Sequence, residues 1–208
     1  MVRVILPESM LQRCEISGQG RELFRRTIES GTANALKLPP FDFERDPMKT
    51  LLLLRHAKSS WKAGNVKDFD RPLNQRGLKA APQVGKSLRK RKLKLDLVLS
   101  SPAERARQTA QLTFESARLN VELRYDERIY EASAARLLEV VSQIEDSANV
   151  AMLVGHNPGM EDLLKVLTGE ERHLSTAALA CIELNVEKWS KVRAGIGRLE
   201  WLAKPKEP

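Results

Sequence analysis

Two histidines stand where short apolar runs stop. Arg55-His56 follows four leucines at 51–54, and His156-Asn157 follows VAMLVG at 150–155. A third run, LDLVLS at 95–100, leads into Ser101-Pro102-Ala103-Glu104-Arg105. Imidazole is a nucleophile and a proton carrier near neutral pH. Guanidinium forks grip phosphate oxygens in pairs. Taken singly, a histidine at a strand end is more often structural than catalytic, and an arginine more often solvated. Two of each beside two helix starts suit a tetrahedral dianion, because helix N-termini add backbone N–H groups and a favourable dipole.

The surrounding pattern supplies the elements that must position these groups. The runs at 50–55, 95–100 and 150–155 are apolar without alternation, as central parallel strands are. Segments 121–125 and 179–184 are further strands, and 198–203 reads as an edge strand. Helices between them have recognisable starts. Ser101-Pro102-Ala103-Glu104 reads as a capping box with proline at the first helical position, and Ser133 and Asn74 read as caps of two more helices. Asn157-Pro158 opens a fourth, with Glu161 and Asp162 in its first turn and Gly169 after its end. Pro82 reads as a bend within the Asn74 helix. Strands alternating with helices predict a three-layer α/β/α fold around a mostly parallel central sheet, with ligands at the carboxyl ends of the strands.

At this point a resemblance becomes specific. LLLLRHAKSSW (51–61) resembles the Arg-His-Gly signature of the histidine phosphatase superfamily, SSPAERARQT (100–109) its second arginine motif, and VGHNPG (154–159) its second-histidine motif. DFDRPLNQRG (68–77) and the closing LEWLAKPK are similar to the short phosphohistidine phosphatases of the SixA type. The resemblance runs in order through 48–208. It implies a phosphoglycerate mutase-like fold with His56 as nucleophile and with Arg55, Arg105 and His156 holding the phosphoryl oxygens. Ser59 and Asn157 would add hydrogen bonds. Arg71 would reach the pocket rim, or else pair on the surface with Asp68 or Asp70. No metal and no cofactor is implied.

Within Arg128-Ile129-Tyr130-Glu131, the Glu131 carboxylate falls where the wider family carries its proton donor, with Glu127 as the nearby alternative. Both also suit a plain surface loop. Phosphohistidine demands less of an acid than a phosphate ester does, since its N–P bond is labile. Ala57 replaces the usual glycine after the histidine, Lys62 stands where mutase-like relatives carry an amide, and Asn74 replaces a common threonine. The last two, with the short chain, point away from a sugar-phosphate mutase. The expected substrate is a protein phosphohistidine, the alternatives being a small phosphate ester or a noncatalytic phosphoprotein-binding module.

Composition bounds the other classes. The chain has 208 residues, enough for one α/β domain, and a formal net charge of +8. Residues 1–47 balance 7 basic against 7 acidic side chains, so the excess belongs to 48–208. Its densest part, GKSLRKRKLK at 85–94, carries no interleaved aromatics, which argues for a solvated helix end over nucleic-acid binding. No apolar run approaches the ~20 residues of a membrane helix, and no secretory leader is visible. Cys14 and Cys181 form no ligand spacing. A cytoplasmic protein is expected, with an N-terminal extension at 1–47 ahead of a domain at 48–208. A metal site would need His173 beside His56 and His156, yet His173 reads as part of a polar loop. A serine hydrolase lacks its G-x-S-x-G elbow.

Overall fold

The computed structural model describes residues 48–60 and 66–205. The extension expected at 1–47, Lys62 and the end of LEWLAKPK lie outside the described residues. The described residues form six strands: β1 (Lys49–Arg55), β2 (Leu97–Ser100), β3 (Glu122–Tyr125), β4 (Val150–Gly155), β5 (Leu179–Leu184) and β6 (Gly197–Ala203). They form one sheet in the order β3-β2-β4-β1-β5-β6. β1 and β2 both run parallel to β4, and β3 runs parallel to β2. β5 and the edge strand β6 are antiparallel. Strand β2 starts at Leu97 rather than at 95 because Asp96 turns its carboxylate onto the backbone N–H groups of Asn149 and Val150, both at 2.8 Å.

Period-two alternation divides the central strands between two cores. Leu51, Leu53, Leu97, Leu99, Ala151 and Leu153 face one side, and Leu52, Leu54, Val98, Met152 and Val154 the other. The first side is covered by α3 (Ala134–Ser142) and α4 (Gly159–Thr168), the second by α1 (Gln75–Lys90) and α2 (Glu104–Ala117). Full coverage of both faces is why these strands are continuously apolar.

Local capping follows the sequence in part. Asn74 Oδ1 accepts from Gly77 N at 3.0 Å, and Ser133 Oγ accepts from Arg136 N at 3.4 Å. Gly169 ends α4 with φ of +74°, in the left-handed region that glycine enters freely. Helix α1 runs through Pro82 as one element. One expected start is corrected. Helix α2 begins at Glu104, and no side chain caps it. The Ser101 hydroxyl meets the His156 ring instead. Helix α4 begins at Gly159, directly after the expected Asn157-Pro158 start, and the Asn157 amide donates to the Leu174 carbonyl at 3.1 Å.

Helices α1 and α2 pack closely at Gly85. A Cβ there would strike the Thr113 carbonyl and lie 2.8 Å from the Ala117 nitrogen. Gly85→Ala is therefore expected to destabilise the domain by about 1–3 kcal/mol through forced separation of the two helices. Urea unfolding measures this, and an unchanged midpoint would contradict the packing described. No described helix is long and apolar enough to cross a membrane.

Candidate active site

Parallel strands aligned in register deliver their last residues to one rim. Arg55 pairs with Gly155, Ser100 pairs with Val154, and the His56 N–H donates to the Gly155 carbonyl at 3.0 Å. The sheet thus fixes both histidines side by side, with ring centroids 5.0 Å apart.

The His56 ring is oriented by its own loop. Nδ1 lies 2.7 Å from the Ala57 carbonyl, which can only accept, so the proton sits on Nδ1 and Nε2 keeps its lone pair. Burial pushes the His56 pKa down to about 4, and the charges of Arg105, Arg55 and Arg71 add to this against the Ala57 carbonyl. At neutral pH the ring is uncharged. Thr109 locks this loop onto α2: its hydroxyl accepts from Ala57 N at 2.9 Å and donates to the Arg105 carbonyl at 2.6 Å.

His156 is buried and differently wired. Its Nε2 is 2.8 Å from Ser101 Oγ. That oxygen also accepts the Ala103 N–H at 3.3 Å, and among the described residues Nε2 is the one acceptor its own proton meets, so the hydroxyl donates to Nε2 and the ring proton falls on Nδ1. Burial, with His56 and Arg105 close by, holds the His156 pKa at about 3. Its Nδ1, Arg55 Nε and Asn157 Oδ1 are buried with no hydrogen-bond partner among the described residues. Two of these three atoms are donors, which is what a phosphoryl oxygen requires.

Three arginines surround the pair. Arg55 Nη1 donates to the Leu174 carbonyl at 2.6 Å, and Leu174 N donates to Glu161 Oε1 at 2.7 Å, so α4 fixes the loop that holds Arg55. Arg105 donates to the Asp68 carbonyl at 2.6 Å and to Asp68 Oδ2 at 2.9 Å. Arg71 donates to Asp68 Oδ1 at 2.6 Å, to Ser59 Oγ at 2.9 Å and to the Ser60 carbonyl at 3.0 Å. The two readings of Arg71 therefore merge. It does pair with Asp68, but it is buried and tied to Ser59 at the site.

The structure brings together Arg55, His56, Arg105, His156, Ser59, Arg71 and Asn157. Glu131 is exposed, with φ of +47°, and no hydrogen bond joins it to them among the described residues. Glu127 is exposed as well. His173 sits apart from the histidine pair in its contacts, 2.9 Å from Glu161 Oε1. Among the described residues no group of three or more His, Cys, Asp or Glu is arranged to hold a metal ion.

Four contributors escaped the sequence reading: Ser101, Thr109, Asp68 and Tyr130. Tyr130 lays its ring edge-on against His156 at 5.5 Å and meets the exposed Phe69 at 5.1 Å. Ser101 and Thr109 lie inside the second arginine motif and Asp68 inside DFDRPL. The partners that tie Ser101, Asp68 and Tyr130 to the site lie 37 to 62 residues away along the chain.

The depressed histidine pKa values have a stability consequence. Between pH 6.5 and about 4 the unfolded chain binds protons at both rings that the folded chain refuses, so stability falls as pH is lowered through this window. We expect the combined effect to be on the order of a few kcal/mol. The fall in melting temperature from pH 6.5 to 4 should be shallower in His156→Asn. An equal slope would show that His156 is not buried uncharged.

Comparison with known proteins decides the family. Residues 51–148 match the histidine phosphatase superfamily (branch 1). Over 114 residues the chain is 38% identical to an uncharacterized protein of Mycobacterium tuberculosis, covering 55% of this chain and 69% of that protein. The chain belongs to the histidine phosphatase superfamily. Within it the likeness is to the SixA type. A SixA structure from Agrobacterium tumefaciens superposes with a TM-score of 0.66 at 30% identity, covering 76% of this chain and 98% of that one. A SixA structure from Nakamurella multipartitia gives a TM-score of 0.68 at 26% identity, covering 76% and 96%. The α/β/α arrangement is the phosphoglycerate mutase-like fold of this superfamily, and the reaction class is phosphate hydrolysis.

Proposed function

We propose that this histidine phosphatase acts on protein phosphohistidine, moving the phosphoryl group to His56 and then to water. The observation that supports the substrate class is the near-complete coverage of the two SixA chains, 98% and 96%, both named as proposed phosphohistidine phosphatases. In the first step the Nε2 lone pair of His56 attacks phosphorus as the substrate N–P bond breaks, and the departing imidazole carries a proton taken up from solvent. In the second step water attacks phosphorus, the Nε2–P bond breaks, and phosphate leaves with the proton balance closed by solvent. Arg55, Arg105 and the Nδ1–H of His156 offset the charge that develops on the phosphoryl oxygens.

An imidazole leaving group suits this site. The Asp68 carboxylate is held ionised by its arginines and Glu131 stands exposed, so neither is placed as a strong acid for an alcohol leaving group. The partner on this reading is a phosphorylated protein rather than a nucleic acid or a membrane. A cytoplasmic setting fits the buried Cys181 thiol, which burial pushes up to about 11.

The test compares kcat/KM on a phosphohistidine-bearing phosphotransfer protein with that on a panel of small phosphate esters, in EDTA throughout. A clear preference for the phosphoprotein with chelator present is expected. A preference of several hundredfold for a metabolite ester, or loss of activity in EDTA, would overturn the substrate or the metal-free part of the proposal respectively.

A further inference from the structure

One carboxylate gathers groups from three separate stretches of chain. Asp68 opens a short 3-10 turn, Asp68–Asp70, between β1 and α1. Its Oδ1 accepts from Arg71 at 2.6 Å, and its Oδ2 accepts from Arg105 at 2.9 Å and from the Tyr130 hydroxyl at 3.0 Å. Its backbone carbonyl accepts from Arg105 at 2.6 Å. Arg105 belongs to the first turn of α2, and Tyr130 follows the short turn after β3. Every one of these partners touches the site. Arg71 also holds Ser59, Tyr130 packs against His156, and Arg105 is the second phosphate-seeking guanidinium.

We propose that Asp68 is a positioning residue of the phosphoryl site, holding Arg105, Arg71 and Tyr130 as one preorganised wall. Three cations converge on a single uncharged imidazole, and a carboxylate between Arg71 and Arg105 offsets their mutual repulsion before any phosphate arrives. A guanidinium has five N–H donors, and Asp68 engages two of those on Arg105. The rest stay available at an orientation fixed in advance. Hydrogen bonds from Arg71 and Tyr130 and the charge of Arg105 outweigh burial and hold the carboxyl at about 2, so Asp68 serves as an anion and not as a proton donor.

This inference rests on the phosphoryl-binding reading of the site but not on phosphohistidine as substrate. Its test uses inorganic tungstate and para-nitrophenyl phosphate. Calorimetry measures tungstate affinity without turnover, so an inactive protein would defeat the phosphatase reading while still testing Asp68. For Asp68→Asn we expect tungstate to bind about 10-fold more weakly and kcat to fall further than KM rises, with kcat/KM down about 100-fold. Asp68→Glu should recover part of kcat, because it restores the charge. Tyr130→Phe removes one partner of the carboxylate and keeps the ring against His156, so it gives a second reading should Asp68→Asn fail to fold. Its kcat/KM should fall about 3- to 10-fold. Tungstate bound as tightly or more tightly in Asp68→Asn would overturn the proposal, since Asp68 would then be a resident competitor for Arg105. Unchanged kcat/KM in Tyr130→Phe, or no recovery in Asp68→Glu, would also count against it.

Discussion

His56→Asn is expected to lower kcat for para-nitrophenyl phosphate by at least about 10⁴-fold while leaving thermal unfolding nearly unchanged. The size follows from the role, since removing a nucleophile removes the covalent route and leaves only what binding and oxyanion stabilisation supply. The small stability change follows from the surroundings. Asparagine can still donate to the Ala57 carbonyl, the contact that fixes the His56 ring at 2.7 Å. The backbone N–H of residue 56 still meets the Gly155 carbonyl. Activity assays paired with a thermal melt separate the two effects. Retention of even one tenth of wild-type kcat would remove His56 from the nucleophile's role.

Arg55→Lys is the second large effect, expected to cost about 10²–10³-fold in kcat/KM although charge is conserved. The reason is geometric. Arg55 spends Nη1 on the Leu174 carbonyl and keeps Nε buried with no partner among the described residues. A guanidinium can satisfy the carbonyl at one edge and a phosphoryl oxygen at the other. An ammonium is a single point and must abandon one of them. Loss of one preorganised donor to developing oxyanion charge is worth about 10²–10³ in rate. Near-wild-type kcat/KM in the lysine protein would mean that Arg55 contributes charge alone.

What the sequence made legible was whatever is written locally. The four leucines of β1, the apolar run of β4, the Asn74 and Ser133 caps and Gly169 after α4 all follow from spacing along the chain. The strand-end histidines followed too, because parallel strands present their carboxyl ends on one rim. Where sequence and structure parted, a distant group had outcompeted a local one. Ser101 has the form of an N-cap, yet its hydroxyl serves His156, 55 residues away. Asn157, read as part of a helix start, bonds to the Leu174 carbonyl 17 residues on. Asp68 reads as half of a surface ion pair with Arg71, and only folding reveals Arg105, 37 residues on, and Tyr130, 62 residues on. Periodicity carries no information about such meetings.

Glu131 marks the boundary of the family analogy. Its position in Arg128-Ile129-Tyr130-Glu131 suggested an acid, and the structure shows it exposed, with no hydrogen bond to the site among the described residues. The side chain of that stretch that does enter the site is Tyr130, through its ring on His156 and its hydroxyl on Asp68.

The most direct measurement is to trap the phosphoryl group in transit. Enzyme in excess is mixed with a phosphohistidine protein, quenched in alkali within milliseconds, digested and mapped by mass spectrometry. Phosphate should appear on the peptide carrying His56, survive alkali, be lost in acid, and be absent from His56→Asn. Phosphate on any other residue, or full turnover in His56→Asn, would contradict His56 as the phosphoryl carrier.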